Sequence, residues 1–219
     1  MNMTTFRAIV LPLLSVGWVA IAGAAQAVTT LSLAAAPNGG IQQSAQGPCV
    51  IGDPSCVSNV LLPEGFTTLP SGGPGSYSNI MSPNYLVSNL RGVLQSDLFN
   101  IQIDVNEARG QGAQSLSLFS MSLVGGGLLA EYVAPAGTPI PAVNNPGNGY
   151  SDYFLSGFSL AGLAATDRVK FAMSMPIKNG GREQFFLQSV AVPAVPVPAA
   201  GLLLLTAAGA MAGLRRRLR

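Results

Sequence analysis

Apolar and polar residues alternate with a period of two over several stretches of the chain, the spacing of a strand that rests one face on a core. The clearest stretch is 98–105, with Phe99, Ile101, Ile103 and Val105 on one face and Asn100, Gln102, Asp104 and the following Asn106 on the other. That pattern predicts a half-buried strand. Residues 168–175 repeat it, with Val169, Phe171, Met173 and Met175 inward. Within 114–124, Leu116 and Leu118 share a face before Phe119, Met121 and Leu123 take the opposite one. This slip of phase predicts a bulge or a strand covered on both sides. Gly125, Gly126 and Gly127 then turn the chain into 128–133 as a hairpin partner. Strand propensity also marks 28–34, 153–160 and 184–192. Lys178-Asn179-Gly180-Gly181 predicts a tight hairpin before the last of these, because Asn-Gly accepts the positive φ of a type I′ turn. The Pro-, Gly-, Ser- and Asn-rich stretches 37–75 and 135–149 read as loops, the first carrying one or two short strands, and 160–165 as a single helical turn. About eight or nine strands without a long helix predict an all-β fold, a two-sheet antiparallel sandwich of jelly-roll type.

Both ends break the pattern. Arg7 precedes an apolar run over 8–22, and Ala25-Gln26-Ala27 supplies a small-x-small site before Val28. Residues 1–27 therefore read as a secretory signal peptide for signal peptidase, with an uncleaved N-terminal helix as the alternative. At the other end a Pro-rich spacer runs into an apolar stretch over 198–214, followed by Arg215, Arg216, Arg217 and Arg219. As a transmembrane helix, roughly 17 residues cover about 26 Å, enough for a bilayer core. The arginines place their end in the cytoplasm and the rest of the chain outside. Four arginines with no polar face above them do not describe an amphipathic core helix, which leaves a plain single-span anchor as the alternative.

This order of Pro motif, short apolar helix and Arg cluster resembles the PEP-CTERM sorting signal, which exosortases recognise in bacteria that export polysaccharide. Val195, Pro196, Val197 and Pro198 stand at its diagnostic core, with Val197 where the commonest form has Glu, as in an apolar variant of the motif. The resemblance implies an exosortase as partner, a transient membrane anchor, and delivery to the cell surface or extracellular matrix of a Gram-negative-type bacterium. The chain then divides into a signal peptide (1–27), an extracellular β-sandwich (28–192) and a sorting signal (193–219). The stretch 100–187 also resembles a recurrent domain of exosortase-sorted surface proteins. That likeness is carried by Ile103-Asp104-Val105-Asn106-Glu107, Asn148-Gly149-Tyr150-Ser151-Asp152-Tyr153, Ala164-Ala165-Thr166-Asp167 and Gly181-Arg182-Glu183-Gln184-Phe185-Phe186. It implies no particular reaction.

Removing both ends changes the charge balance. Arg7 and the four tail arginines are five of the eleven basic residues, which leaves six against nine acids and a core of about −3. Such a core lacks the basic field of a nucleic-acid-binding module. Charged residues are only 9% of the chain, and the abundance of Gly, Ser, Asn and Gln favours turn-rich extracellular β structure. Cys49 and Cys56 are the only cysteines, and in an oxidising compartment they predict a disulfide. Closing a loop of about eight residues stabilises by roughly 2 to 3 kcal/mol.

The chain has no histidine, which excludes Ser-His-Asp and Cys-His nucleophile systems and His-ligated metals. It has no G-x-S-x-G, S-x-x-K or phosphate-cradling Gly loop. A pair of carboxylates of glycosidase type stays open among nine acids. The one tryptophan, Trp18, lies in the signal peptide, so Tyr77, Tyr85, Tyr132, Tyr150 and Tyr153 would have to stack sugars; otherwise they pack at the core edge with hydroxyls in water. Asp104, Asn106 and Asp152 supply oxygen ligands that suit Ca²⁺. The competing role for these acids is turn capping, with ion pairs to Arg109, Arg168 and Arg182. The expectation is a non-enzymatic surface or matrix protein of structural or adhesive type without a required cofactor. A polysaccharide-binding or polysaccharide-active sandwich that meets exopolysaccharide is the alternative.

Overall fold

The computed structural model describes residues 27–71, 74–107, 112–143 and 147–190. The expected signal peptide, apart from Ala27, and the whole expected sorting signal with its transmembrane helix lie outside these residues. In chain order the elements are β1 (Thr29–Thr30), β2 (Ser32–Ala35), β3 (Cys49–Gly52), β4 (Thr67–Thr68), β5 (Gly75–Met81), β6 (Tyr85–Leu86), α1 (Val87–Leu94), β7 (Leu98–Asp104), β8 (Gln114–Leu123), β9 (Leu128–Ile140), β10 (Tyr153–Ser159), β11 (Arg168–Lys178) and β12 (Gln184–Ser189). One sheet runs β1-β9-β8-β11-β5, with β6 also on β11; the other runs β2-β10-β7-β12-β3-β4. The fold is an all-β sandwich, as the alternation predicts.

Eight strands pair in a nested order, β3 with β12, β5 with β11, β7 with β10 and β8 with β9, each pair antiparallel. Among these eight only β8 and β9 form a hairpin, and every other connection passes from one sheet to the other. Two edge pairs, β1 with β9 and β3 with β4, are parallel, so the sheets are mixed rather than purely antiparallel. The stretch predicted as one N-terminal strand divides at the buried Leu31: β1 lies on one sheet and β2 on the other.

The predicted hairpin at Lys178-Asn179-Gly180-Gly181 does not form. β11 already pairs with β8 and β5 along its two edges, leaving none for β12, so the turn carries the chain across to the other sheet. Gly180 alone of the four takes a positive φ, 97°, whereas a type I′ turn needs two. β9 runs on through Pro135, where a loop was predicted. The phase slip expected in 114–124 is a bulge on this partner strand, with Leu118 facing Val133 but Leu116 facing Thr138. Gly137 makes the bulge fit, since at φ 76° a Cβ there would sit 2.8 Å from Ser115 Oγ.

The helix α1 was not foreseen; it buries Val87, Leu90 and Leu94, spaced as one helical face, and ends at Gln95 in the left-handed region. Residues 160–167 make two successive turns instead of a helical one, closed by Leu163 N–H to Leu160 O (3.1 Å) and Asp167 N–H to Ala164 O (3.0 Å).

Aromatic rings fill the space between the sheets. Phe171 of β11 lies 6.0–6.2 Å from the rings of Tyr85, Phe99, Phe119 and Phe158, and Phe119 stacks on Phe185 at 5.4 Å. The outer face of the second sheet is covered too. Cys49 and Cys56 are disulfide-bonded as expected, and with Phe186, Ile41 and Phe66 they form a second apolar cluster. This cover buries Gln102 and Asp104, so β7 is enclosed on both faces rather than half-buried. Phe171→Ala is expected to lower unfolding stability by about 3 to 5 kcal/mol, seen as a lower denaturant midpoint at unchanged slope. A loss of less than about 1 kcal/mol would mean the ring is not a central strut.

Candidate functional site

The C-terminal ends of β7 and β11 and the N-terminal ends of β8 and β12 come to one end of the sandwich, and Asp104, Asn106 and Asp152 meet there. Asp152 is 1% exposed, and it accepts from Val143 N–H at Oδ1 (2.6 Å) and from Val105 N–H at Oδ2 (2.7 Å). Its own backbone continues the sheet, donating to Ile103 O and accepting from Ala36 N–H, both at 2.8 Å. Asp104 Oδ2 accepts from Gly149 N–H at 2.6 Å and from Asn106 Nδ2 at 3.4 Å. Asn106 also donates to Arg182 O at 2.7 Å. These carboxylates hold loop backbone, which is the capping role set against calcium in the sequence. Among the described residues no group of three or more Cys, Asp or Glu side chains is arranged to hold a metal ion.

Two of the three arginines expected to neutralise this cluster pair elsewhere. Arg182 pairs with Asp53 (3.3 Å), Arg168 with Glu64 (3.7 Å) and Arg91 with Asp97 (2.6 Å), while Arg109 lies outside the described residues. Burial tends to raise the Asp53 carboxyl, but hydrogen bonds from Ser55 and Arg182 outweigh it and hold the group below its ordinary pKa. Asp104 has no such pair. Burial, with a further push from Asp152, outweighs the Gly149 and Asn106 hydrogen bonds and raises it to about 7.

A second polar group lies on the inner face at this end. In β12, Phe185 and Leu187 face the main core and Phe186 the outer cluster, so Glu183, two residues before Phe185, points inward. Glu183 and Gln114 have no exposed surface, and none of their side-chain polar atoms has a hydrogen-bond partner. Burial pushes Glu183 up to about 7, against its own backbone N–H, the nearby Gln114 amide and the Lys178 ammonium, which favour the charged form. Lys178 is 8% exposed, with its Nζ 4.8 Å from the centre of the Tyr77 ring. Burial, then the field of Glu183, raises the Tyr77 hydroxyl to about 12.

Two of the five tyrosines are buried and present no ring face to a sugar. Tyr77 and Tyr85 lie within the core, where Tyr85 donates to Gly65 O (2.8 Å) and Val50 O (3.3 Å). Tyr132 bonds Thr138, and Tyr153 donates to Pro141 O at 3.0 Å. Tyr150 bridges to Gln42 through its backbone. The sorting residues Val195, Pro196, Val197 and Pro198 and the arginines Arg215, Arg216, Arg217 and Arg219 lie outside the described residues. The inward group of Gln114, Lys178 and Glu183 escaped sequence reasoning, although extending the alternation of 184–192 back by one residue places Glu183 with Phe185 and Leu187. No protein-family model, curated protein or solved structure matches this chain.

Asp104 and Glu183 both have folded pKa values above the ordinary carboxylate range, so between that range and about pH 7 the folded chain binds more protons than the unfolded chain. Their contribution to stability therefore falls as pH rises through this window and levels off above it. Glu183→Gln should flatten the fall by about 3 kcal/mol, measured by denaturant unfolding at successive pH values. Equal slopes in the two proteins would contradict this. Melting curves in millimolar Ca²⁺ and in chelator should coincide, whereas a calcium site of native affinity would raise the melting temperature by several degrees.

Proposed function

We propose that the chain is an exported surface or extracellular-matrix protein of structural or adhesive type, built on a sandwich of jelly-roll topology and sorted and cleaved by an exosortase. The observation that carries this is the order of segments: signal peptide, sandwich, Val-Pro-Val-Pro motif, apolar helix, Arg cluster. The limits of the sandwich support it. Among the described residues its first strand begins at Thr29, just past the small-x-small site, and its last ends at Ser189, short of Val195. The nested pairing of the eight main strands supports the jelly-roll assignment. The Cys49–Cys56 bond agrees with an oxidising destination.

A non-catalytic role is supported by where seven of the nine acids lie. Asp53, Glu64 and Asp97 pair with arginines. Asp167 accepts from Ala164 N–H, and Asp104 and Asp152 hold loops. Asp104 lies beside Gln184 on the outer face of β12, so Glu183 faces the opposite side of the sheet and the two do not flank one cleft. The few charges and many amide and hydroxyl groups suit a neutral matrix such as exopolysaccharide, which would be met by the surface rather than by a pocket.

Intact-mass measurement of the protein recovered from the cell surface or matrix tests this proposal. The mature chain should start near Val28 and end between Pro196 and Ala199. Recovery of the exported form with the 215–219 arginines attached would make the tail a plain anchor and overturn exosortase processing.

A further inference from the structure

The chain holds three Asn-Gly pairs, Asn38-Gly39, Asn148-Gly149 and Asn179-Gly180. A backbone nitrogen that follows asparagine can attack the side-chain carboxamide, and glycine leaves that approach open because it carries no Cβ. The new N–C bond forms along the direction of the former N–H, so an N–H or a carboxamide held by a hydrogen bond must first let go. The fold treats the three pairs differently. Gly149 N–H donates to Asp104 Oδ2 (2.6 Å), and Asn148 Oδ1 accepts from Gln184 Nε2 (3.1 Å). Asn179 Nδ2, the nitrogen that would have to leave, donates to Gly112 O (2.7 Å), and Gly180 is bridged to Glu107. Asn38 and Gly39, by contrast, are exposed at the tip of the turn that follows β2, closed by Gly40 N–H to Pro37 O (2.9 Å). Gly39 stands at φ 92°, the positive value of the third position in a type II turn, and a Cβ there would meet nothing within 4 Å. Among the described residues, neither the Asn38 carboxamide nor the Gly39 N–H has a hydrogen-bond partner.

We propose that Asn38-Gly39 is a self-modification site, at which the folded chain converts its own asparagine into aspartate and isoaspartate while the other two pairs stay intact. Gly39 N gives up its proton to water and bonds to Asn38 Cγ. The Cγ–Nδ2 bond breaks, Nδ2 takes up a proton, and ammonia leaves. Water then opens the cyclic imide at either carbonyl, which restores the Gly39 N–H and leaves a carboxylate. Water is consumed and ammonia released in equal amounts, with no oxidant or cofactor. The turn can carry this change because its base is fixed on both sides, where Ala36 N–H donates to Asp152 O (2.8 Å) and Ile41 N–H to Ser151 Oγ (2.9 Å). Opening toward isoaspartate threads the main chain through the former side chain and lengthens the turn between these two anchors. Either product puts a new negative charge on an exposed turn of a core of about −3.

Incubation of the folded, full chain in mildly alkaline buffer tests the proposal, with each Asn-Gly pair followed by peptide mapping and fragment-ion sequencing after reduction. Asn38 should exchange its carboxamide for a carboxylate and give isoaspartate, while Asn148 and Asn179 lag by about tenfold for each hydrogen bond that must open. In denaturant the three pairs should react at similar rates, which separates the effect of the fold from that of the neighbouring residues. Asn38→Gln, whose longer side chain closes a ring less readily, should lose the early product. A folded chain in which Asn148 or Asn179 converts as fast as Asn38 would overturn the proposal, and so would an Asn38 that stays unconverted in the folded chain.

Discussion

Six aromatic side chains set the separation of the two sheets, and the rest of the fold depends on their contact. Tyr85, Phe119 and Phe171 come from one sheet and Phe99, Phe158 and Phe185 from the other, with neighbouring ring centres 5.0 to 6.2 Å apart. Rings this close, stacked or edge-on, pack at interior density and tolerate little change in spacing. In this topology nearly every connection crosses from sheet to sheet, so each crossing loop is anchored only while the rings hold both sheets. The Tyr85 hydroxyl adds a tie, since its acceptors are Val50 O in β3 of the second sheet and Gly65 O in the loop before β4.

Where the aromatic slab ends, the interior becomes polar. Gln114 and Glu183 occupy positions that strand alternation assigns to the core, Lys178 is turned inward by the register shift after Met175, and the loops beside them are held by Asp104 and Asp152 through backbone N–H groups. This end therefore carries the raised carboxyl pKa values. The outer face of the second sheet has the opposite character. There the Cys49–Cys56 bond fixes a short loop over Phe186, and Gly52 permits the approach, because a Cβ at that position would stand 2.6 Å from Cys56 Sγ. A covalent staple thus closes this face, with the Arg182–Asp53 pair holding the same short loop.

Much of this architecture was legible in the sequence. The alternation around Phe99 to Val105 and Val169 to Met175 marked β7 and β11, the phase slip after Leu118 marked the bulge, and the pair of cysteines marked the disulfide. The polar face of 98–105 also brought Asp104 and Asn106 into view, and the structure places Asp152 beside them. Other features leave no local trace. A Pro- and Gly-rich loop that buries Gln102 has no periodicity, so the cover over the second sheet could not be read. The Asn179-Gly180 turn has hairpin chemistry, yet the partner of β12 is decided by which strand edges are already occupied. The helix α1 offers only three buried apolar residues among Ser, Asn, Arg and Gly. The meeting of Gln114, Lys178 and Glu183 depends on register between distant strands and on which sheet each joins, and neither is a local property.

Native-state hydrogen exchange of the full chain tests most directly whether one aromatic core holds both sheets. The account predicts that amides of β7 and β12 and those of β8 and β11 exchange last, with one shared opening free energy equal to that of global unfolding. If the central strands of one sheet exchanged through a separate, lower-energy opening while the other sheet stayed protected, the sheets would not depend on the shared rings, and the account would be contradicted.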